Sequence, residues 1–254
     1  MSNQLFSLQG KVYTALRDGT TGKPGKLTWL GNVEKAEVAL SPNISDKYES
    51  FSGQRLLYGR LMKERKADLN MTVTEFHWEN LVLSLYGTKA SVAGGTVAGP
   101  ETFPAGLLVG DAVQLAQSAV SALVITDSTG SPITLVAGTD YIQNGNVVTI
   151  LNVTALVQPF KAAYTYATTE VIEMMSQVTP PERYVVFDGV NTFTGDLVHV
   201  DLFRVQFTPA KIFGLIDADW GSFDLTGAVI YDAINANIAN MGGFGRIVTN
   251  EPAV

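Results

Sequence analysis

From Lys66 to Val73 the chain alternates: Ala67, Leu69, Met71 and Val73 are apolar, and Lys66, Asp68, Asn70 and Thr72 are polar. A period of two belongs to a half-buried strand, so this stretch is expected in a sheet with one face on the core. At Thr74, an expected N-cap, the period changes. Trp78, Leu81, Val82, Leu85 and Tyr86 recur at helical spacing, which predicts one amphipathic helix over Glu75–Tyr86, with Glu75 in its first turn and Gly87 ending it. Elsewhere strand patterns dominate. "GKVYTALRDGTTGKPGKLTWLGNV" reads as strand, Gly-rich turn and strand, and "AEVAL" continues the sheet. "ERYVVFDGV", "DLVHVDLFRVQFTPAKIFGLI" and "GSFDLTGAVIYDA" predict long strands near the C-terminus. Within the second of these, Val198, Val200 and Leu202 share one phase and Phe203, Val205 and Phe207 the other, which predicts a bulge or a strand buried on both faces.

Two segments interrupt this pattern. The first, Ser41–Met62 and the residues just after it, is polar, favours an extended loop or a long imperfect hairpin, and gathers Lys47, Glu49, Arg55, Arg60, Lys63, Glu64 and Arg65. The second, residues 88–106, is small and Pro-containing and reads as a linker or lid. Residues 107–168 then form a strand-rich unit: a strand, an Asp-Ser-Thr-Gly turn, a strand, an Asn144-Gly145 hairpin and a closing strand with Ala162, Tyr164 and Tyr166 on one face. The expected organisation is a core over residues 1–104 and 169–254 with a small β-rich domain inserted at 105–168. The Gly-rich "NANIANMGGFGRIVTN" is expected in a peripheral or intersubunit position.

Composition narrows the function classes. The chain has 254 residues, enough for a sizeable core, and only 16% are charged, which leaves much neutral surface suited to repeated subunit contact. The net charge of −7 argues against affinity built on phosphate neutralisation. There is no cysteine, so thiol chemistry and disulfides are excluded. The first twenty residues lack the basic start and apolar block of a signal peptide, and no long uninterrupted apolar run occurs; the expectation is a chain that does not itself cross or bind a bilayer.

Candidate chemistry is sparse. The two histidines, His77 and His199, have no sequence-local partners that would make a base or a metal site. Asp217, Asp219 and Asp224 cluster around Trp220, yet they lack an EF-hand pattern and read most simply as an acidic turn. Phosphate-loop, dinucleotide and nucleophile-elbow motifs are all absent. The reading is therefore of a non-enzyme without cofactor or metal. The mixed charges of the arm could be a solvated strand entrance, but they fit better a docking arm that meets complementary charge on a neighbouring subunit.

The order "KVYTALRD…GKPGKLTWLGNVEKAEVAL", charged loop, alternating strand and "FHWENLVLSLYG" resembles the major tail tube proteins of long-tailed, non-contractile bacteriophages, over residues 11–87 and again from about 170 to 245. The resemblance implies a mainly β fold, a tail-tube-type sandwich or barrel with one flanking helix, a long stacking loop and an inserted β-rich domain. It implies homohexameric rings stacked into a virion tube, assembled in the host cytoplasm. Tape measure protein and ejected DNA would occupy the lumen, with tail terminator and distal tail proteins at the ends. Carried onto this chain, it makes Leu27–Leu40, Lys66–Val73 and Val198–Phe207 tube walls, and places Trp78, Leu81, Val82 and Leu85 on the helix's packing stripe. Lys47, Glu49, Arg55, Arg60, Lys63, Glu64 and Arg65 become ring-stacking contacts, and Asp68, Asp196 and Asp201 strand-borne lumen acids. Two other classes stay open: a carbohydrate-binding module using Trp29, Trp78 and Trp220, and an enzyme in which His199 and an aspartate share a pocket.

Overall fold

The computed structural model describes residues 5–179, 181–216 and 218–250, and the protein is mainly β, with several antiparallel sheets and two short helices. It divides into two compact units, one made of residues 1–88 and 172–254 and one of Lys89–Val171. The larger unit begins with β1 (Leu8–Leu16), β2 (Thr28–Trp29), β3 (Val33–Leu40), β4 (Asn43–Tyr48), β5 (Leu57–Glu64), β6 (Ala67–Val73) and α1 (Trp78–Ser84). The chain crosses on β7 (Thr88–Val92) to β8 (Gly95–Thr96), β9 (Glu101–Thr102), β10 (Ala112–Gln114), β11 (Val120–Thr126), β12 (Tyr141–Asn144), β13 (Val147–Ile150) and β14 (Lys161–Tyr166). It returns on β15 (Thr169–Glu173), paired with β7, and ends with β16 (Arg183–Asn191), β17 (Leu197–Thr208), β18 (Phe223–Val229), α2 (Ala233–Ala236) and β19 (Gly245–Thr249).

One sheet organises the larger unit, in the order β2-β1-β16-β17-β18-β6-β3 with β19 also on β17. Its hub is β17, which is long enough to pair with β19 over Val198–Leu202 and with β18 over Val205–Thr208. Between these two stretches the register with β16 slips, so that Arg183 faces Val205 while Val185 faces Leu202. This is the bulge that the phase change at Phe203 predicts, and it divides the sheet into two leaves. Val12, Val185 and Leu202 of one leaf share a core with Leu69, Met71 and Leu225 of the other. On the far side of the first leaf Phe203 packs with Tyr184, Val186 and Met241, so β17 is buried on both faces there. The alternation of β6 is realised as read: its odd residues are buried and its even ones half-buried.

The helix departs from its predicted frame. It starts at Trp78 rather than Glu75, its N-cap is His77 without a side-chain cap bond, and Thr74 instead exchanges hydrogen bonds with Asn32. Asn80 sets the rotation. It is fully buried and its side-chain amide donates to two carbonyls that precede the helix, those of Leu30 (2.8 Å) and Glu75 (3.2 Å), while its Oδ1 has no hydrogen-bond partner. The buried face is thus Asn80, Leu81, Leu83 and Ser84; Val82 and Leu85 are half-buried, and Trp78 is 39% exposed rather than on the packing stripe. Tyr86, not Gly87, takes the left-handed conformation (φ 51°), while Gly87 is where a side chain would meet Ile172 at 2.5 Å.

The inserted unit has its own core between a sheet β10-β13-β12 and a sheet in which β14 lies between β11 and the short β8 and β9. Phe103, Leu115, Ile125, Val148, Ile150, Phe160, Ala162 and Tyr164 fill it. It starts at Lys89 and not at 105. The reading of 88–106 as a linker is corrected for a physical reason: β8 and β9 complete the hydrogen bonds of β14's edge, and Phe103 is buried in the core. The expected hairpin is present, its turn centred on Gly145-Asn146 between paired Asn144 and Val147. The strand expected after the Asp-Ser-Thr-Gly turn is reduced to isolated bridges at Thr134 and Ala137. The Gly-rich C-terminal stretch is more regular than its composition suggests, since it supplies the second half of α2 and all of β19, a full partner of β17.

Candidate functional site

The charged arm is an ordered hairpin that prolongs two sheet strands. Pairing of β3 with β6 ends at Leu40 and Ala67, Ser41 N–H donates to Lys66 C=O (2.8 Å), and the same ribbon continues as β4 against β5. Neither face of β5 is covered by this chain. At about 3.3 Å per residue its eight residues carry the ribbon roughly 25 Å beyond the sheet. Ile44 faces Met62 and Ser45 faces Leu61 across the ribbon, which places Met62 and Leu61 on opposite faces. Apolar side chains therefore project from both sides, and Phe51 (80% exposed), Tyr58 and Leu57 add to them toward the tip. A two-stranded ribbon is marginal alone in water, and one apolar on both faces has no side suited to solvent.

The seven charges assigned to this arm have different roles. Arg60 forks onto Asp46 directly across the ribbon (2.8 and 3.0 Å), so it fixes register instead of reaching outward. Their mutual hydrogen bonding lowers the Asp46 pKa and raises that of Arg60. Glu64 accepts from Asn43 (3.4 Å). Glu49 is not a docking charge at all: it is only 7% exposed and accepts from Ser52 Oγ and from the amides of Phe51 (2.8 Å), Ser52 (2.8 Å) and Leu56 (3.2 Å). Those bonds, Ser52 Oγ foremost, pull its pKa down to about 2. Lys47, Arg55, Lys63 and Arg65 form no ion pair among the described residues and remain as the arm's outward charge.

Glu49 thus acts as a staple for the tip. Its carboxylate has a folded pKa below the unfolded one, so its contribution is complete above the unfolded value and is lost only as pH falls through about 2. Glu49→Ala is expected to leave the core melt unchanged while amide exchange at Phe51, Ser52 and Leu56 accelerates tenfold or more, read by NMR at pH 6. Unchanged protection there would remove the staple.

The lumen acids fare unevenly. Asp68 does lie on a strand, on the polar face of β6, and bonds Lys66 at 2.9 Å. Asp196 precedes β17 in a turn closed by Asn191 and Thr194, so it is not strand-borne. Asp201 is on β17 but 3% exposed and consumed inside the subunit, by Arg246 (2.7 Å), His199 (3.1 Å) and the Tyr184 hydroxyl. It cannot present charge to a channel. The reason is positional: it sits opposite Arg246 on β19, a strand the sequence pattern does not announce.

Two features bear on the other classes. His199 does meet two carboxylates, Asp201 and Asp188 (3.7 Å), but it faces away from the open gap of about 680 Å³ between the leaves. That gap is lined by Leu8, Val33, Met71, Phe187 and Ile247 with Glu34 and Glu37, and by no histidine, lysine or arginine. Trp29, a possible sugar platform, has the Lys11 ammonium 5.2 Å from its ring centre. Among the described residues no three His, Cys, Asp or Glu groups are arranged to hold a metal, and no helix is long and apolar enough to cross a membrane. Missed by the sequence reading were the apolar members of the arm, Leu57, Tyr58, Leu61 and Met62. They fall as two adjacent pairs, Leu57-Tyr58 and Leu61-Met62, which in a strand point to both faces and give no single-face period.

A family model described as "Protein of unknown function UCP028589" matches residues 5–248. No curated protein matches the chain.

Proposed function

We propose that this chain, which belongs to the protein family of unknown function UCP028589, is a self-assembling structural subunit of a phage tail tube. Copies join into hexameric rings, the rings stack, and DNA passes through the bore during ejection. Tape measure protein fills the bore beforehand, and terminator and distal tail proteins close the ends. The observation that carries this reading is the ribbon β4–β5, which holds apolar side chains out on both faces where its own chain covers neither. The sheet adds to it. Among the described residues β3 pairs only with β6, and β19 only with β17, so each leaf has an outer edge ready to pair. Identical neighbours can satisfy such edges, and closure into a ring leaves none exposed.

Negative-stain microscopy of the purified full chain tests the reading. Rings or tubes about 100 Å wide are expected, the scale of two sheet-rich layers around a DNA-sized bore. A dispersed monomer at high concentration would overturn it. A shortened arm gives the second check. Replacing Lys47–Gly59 by Asn-Gly closes a tight turn on the paired Asp46 and Arg60 and keeps the subunit fold. Rings without stacking are the expected outcome, and tubes of wild-type length and yield would contradict the arm's role.

A further inference from the structure

The second uncovered apolar surface of the larger unit is the segment joining β17 to β18, residues 209–222. Its described residues form neither strand nor helix. It is anchored near its start, where Ala210 N–H donates to Ser84 C=O (2.7 Å) and the Phe213 ring lies 6.4 Å from both Phe76 and Phe223. Within and beyond that anchor Ile212, Leu215, Ile216 (97% exposed) and Trp220 (90% exposed) project outward, and Phe76 is exposed too. Surface loops are normally polar, and four large apolar side chains within nine residues form a patch of the kind that marks a contact site.

Charge selects the occupant. Residues 209–224 contain three aspartates and Lys211, a formal −2, with Asp217 outside the described residues. Ser41–Lys66 contains six basic residues and three acidic ones, a formal +3. Each surface is apolar with a charged fringe, the fringes are opposite in sign, and within one chain both surfaces are uncovered. We propose that the arm of one copy docks on the loop joining β17 to β18 of the next. The inference rests on the self-assembly reading and specifies its contact. Because the two surfaces differ, the contact is head-to-tail, so each copy both gives an arm and receives one, and growth is open-ended. Arm-to-arm pairing would instead bring two like-charged surfaces together.

The cysteine-free chain allows a clean test. Full-length Leu61→Cys and Leu215→Cys proteins, both altered at exposed positions, are mixed and oxidised, with one of them isotope-labelled so that mass spectrometry separates mixed from like dimers. The disulfide between the cysteines introduced at positions 61 and 215 is expected at least tenfold above either like pair, and it should diminish as salt rises through the assembly step. Predominant linkage between two cysteines introduced at position 61 would overturn the proposal in favour of paired arms. Assembled rings or tubes without the mixed disulfide would overturn it while leaving the structural reading intact. Absence of any assembled particle by microscopy would overturn both.

Discussion

Asp232→Ala is expected to destabilise the larger unit by about 3–5 kcal/mol, the cost of stranding a buried cation. Asp232 is 1% exposed and lies under the side chain of Arg17, which forks onto it at 3.0 and 2.9 Å across 215 residues of sequence. The same carboxylate caps α2 by accepting from the amides of Ile234 (3.0 Å) and Asn235 (3.4 Å), and takes a bond from the Asn235 side chain (2.8 Å). Alanine leaves Arg17 with Glu182 alone, at 3.6 Å and partly in solvent, and uncaps the helix. Urea unfolding followed by tryptophan fluorescence measures the loss, since all three tryptophans lie in this unit. A change below about 1 kcal/mol would mean that the pair is idle. Pairing Asp232→Ala with Arg17→Met removes both charges and should recover part of the deficit.

The same site gives the pH response its sign. Burial works against the Asp232 charge, but Asn235, Arg17 and the two amides outweigh it and hold the pKa below the ordinary carboxylate value of 3.8. A group depressed in the folded state binds fewer protons there, so its contribution is complete above the unfolded pKa and is lost as pH falls through the folded one. Wild-type stability should therefore drop below about pH 4, and the drop should be shallower in Asp232→Asn.

Phe160→Ala should have a comparable effect, confined to the inserted unit. Phe160 is fully buried at the centre of that unit's core, and truncating such a residue costs about 3–5 kcal/mol. For a unit of this size each kcal/mol lowers the midpoint by roughly 4–8 °C, so a fall of at least about 12 °C is expected. Amide exchange across Lys89–Val171 reads this unit, and tryptophan fluorescence reads the other. Exchange should collapse while the tryptophan transition holds its position. An equal shift of both would show that the two units unfold as one.

These two sites mark how far the sequence could be read. The Phe160 core was within reach: "PFKAAYTYA" alternates, and Ala162 and Tyr164 point inward beside Phe160 as that phase requires. The β6 strand and the bulge in β17 were legible for the same reason, since period-two patterns report which face a residue shows. The Arg17–Asp232 pair was not legible, because nothing local in "LRDGT" or "YDAIN" says that the two segments meet. The helix failed halfway. Its apolar spacing announced a helix, but the two bonds from buried Asn80 turned the contact face, and Trp78 moved out toward solvent.

The arm divides the same way. Its length, its charges and its two-sided apolar content belong to the sequence, which by itself also decided the mainly β class, the inserted strand-rich segment and the acidic balance. Tertiary structure decided which charges were already taken: Glu49 by the tip's amides, Arg60 by Asp46, and Asp201 by Arg246 from a strand hidden in a Gly-rich tail. The reason is that facing direction is encoded in a few consecutive residues, whereas the partner of a charge is fixed by chain segments tens to hundreds of residues apart that only the completed sheet brings within hydrogen-bonding distance.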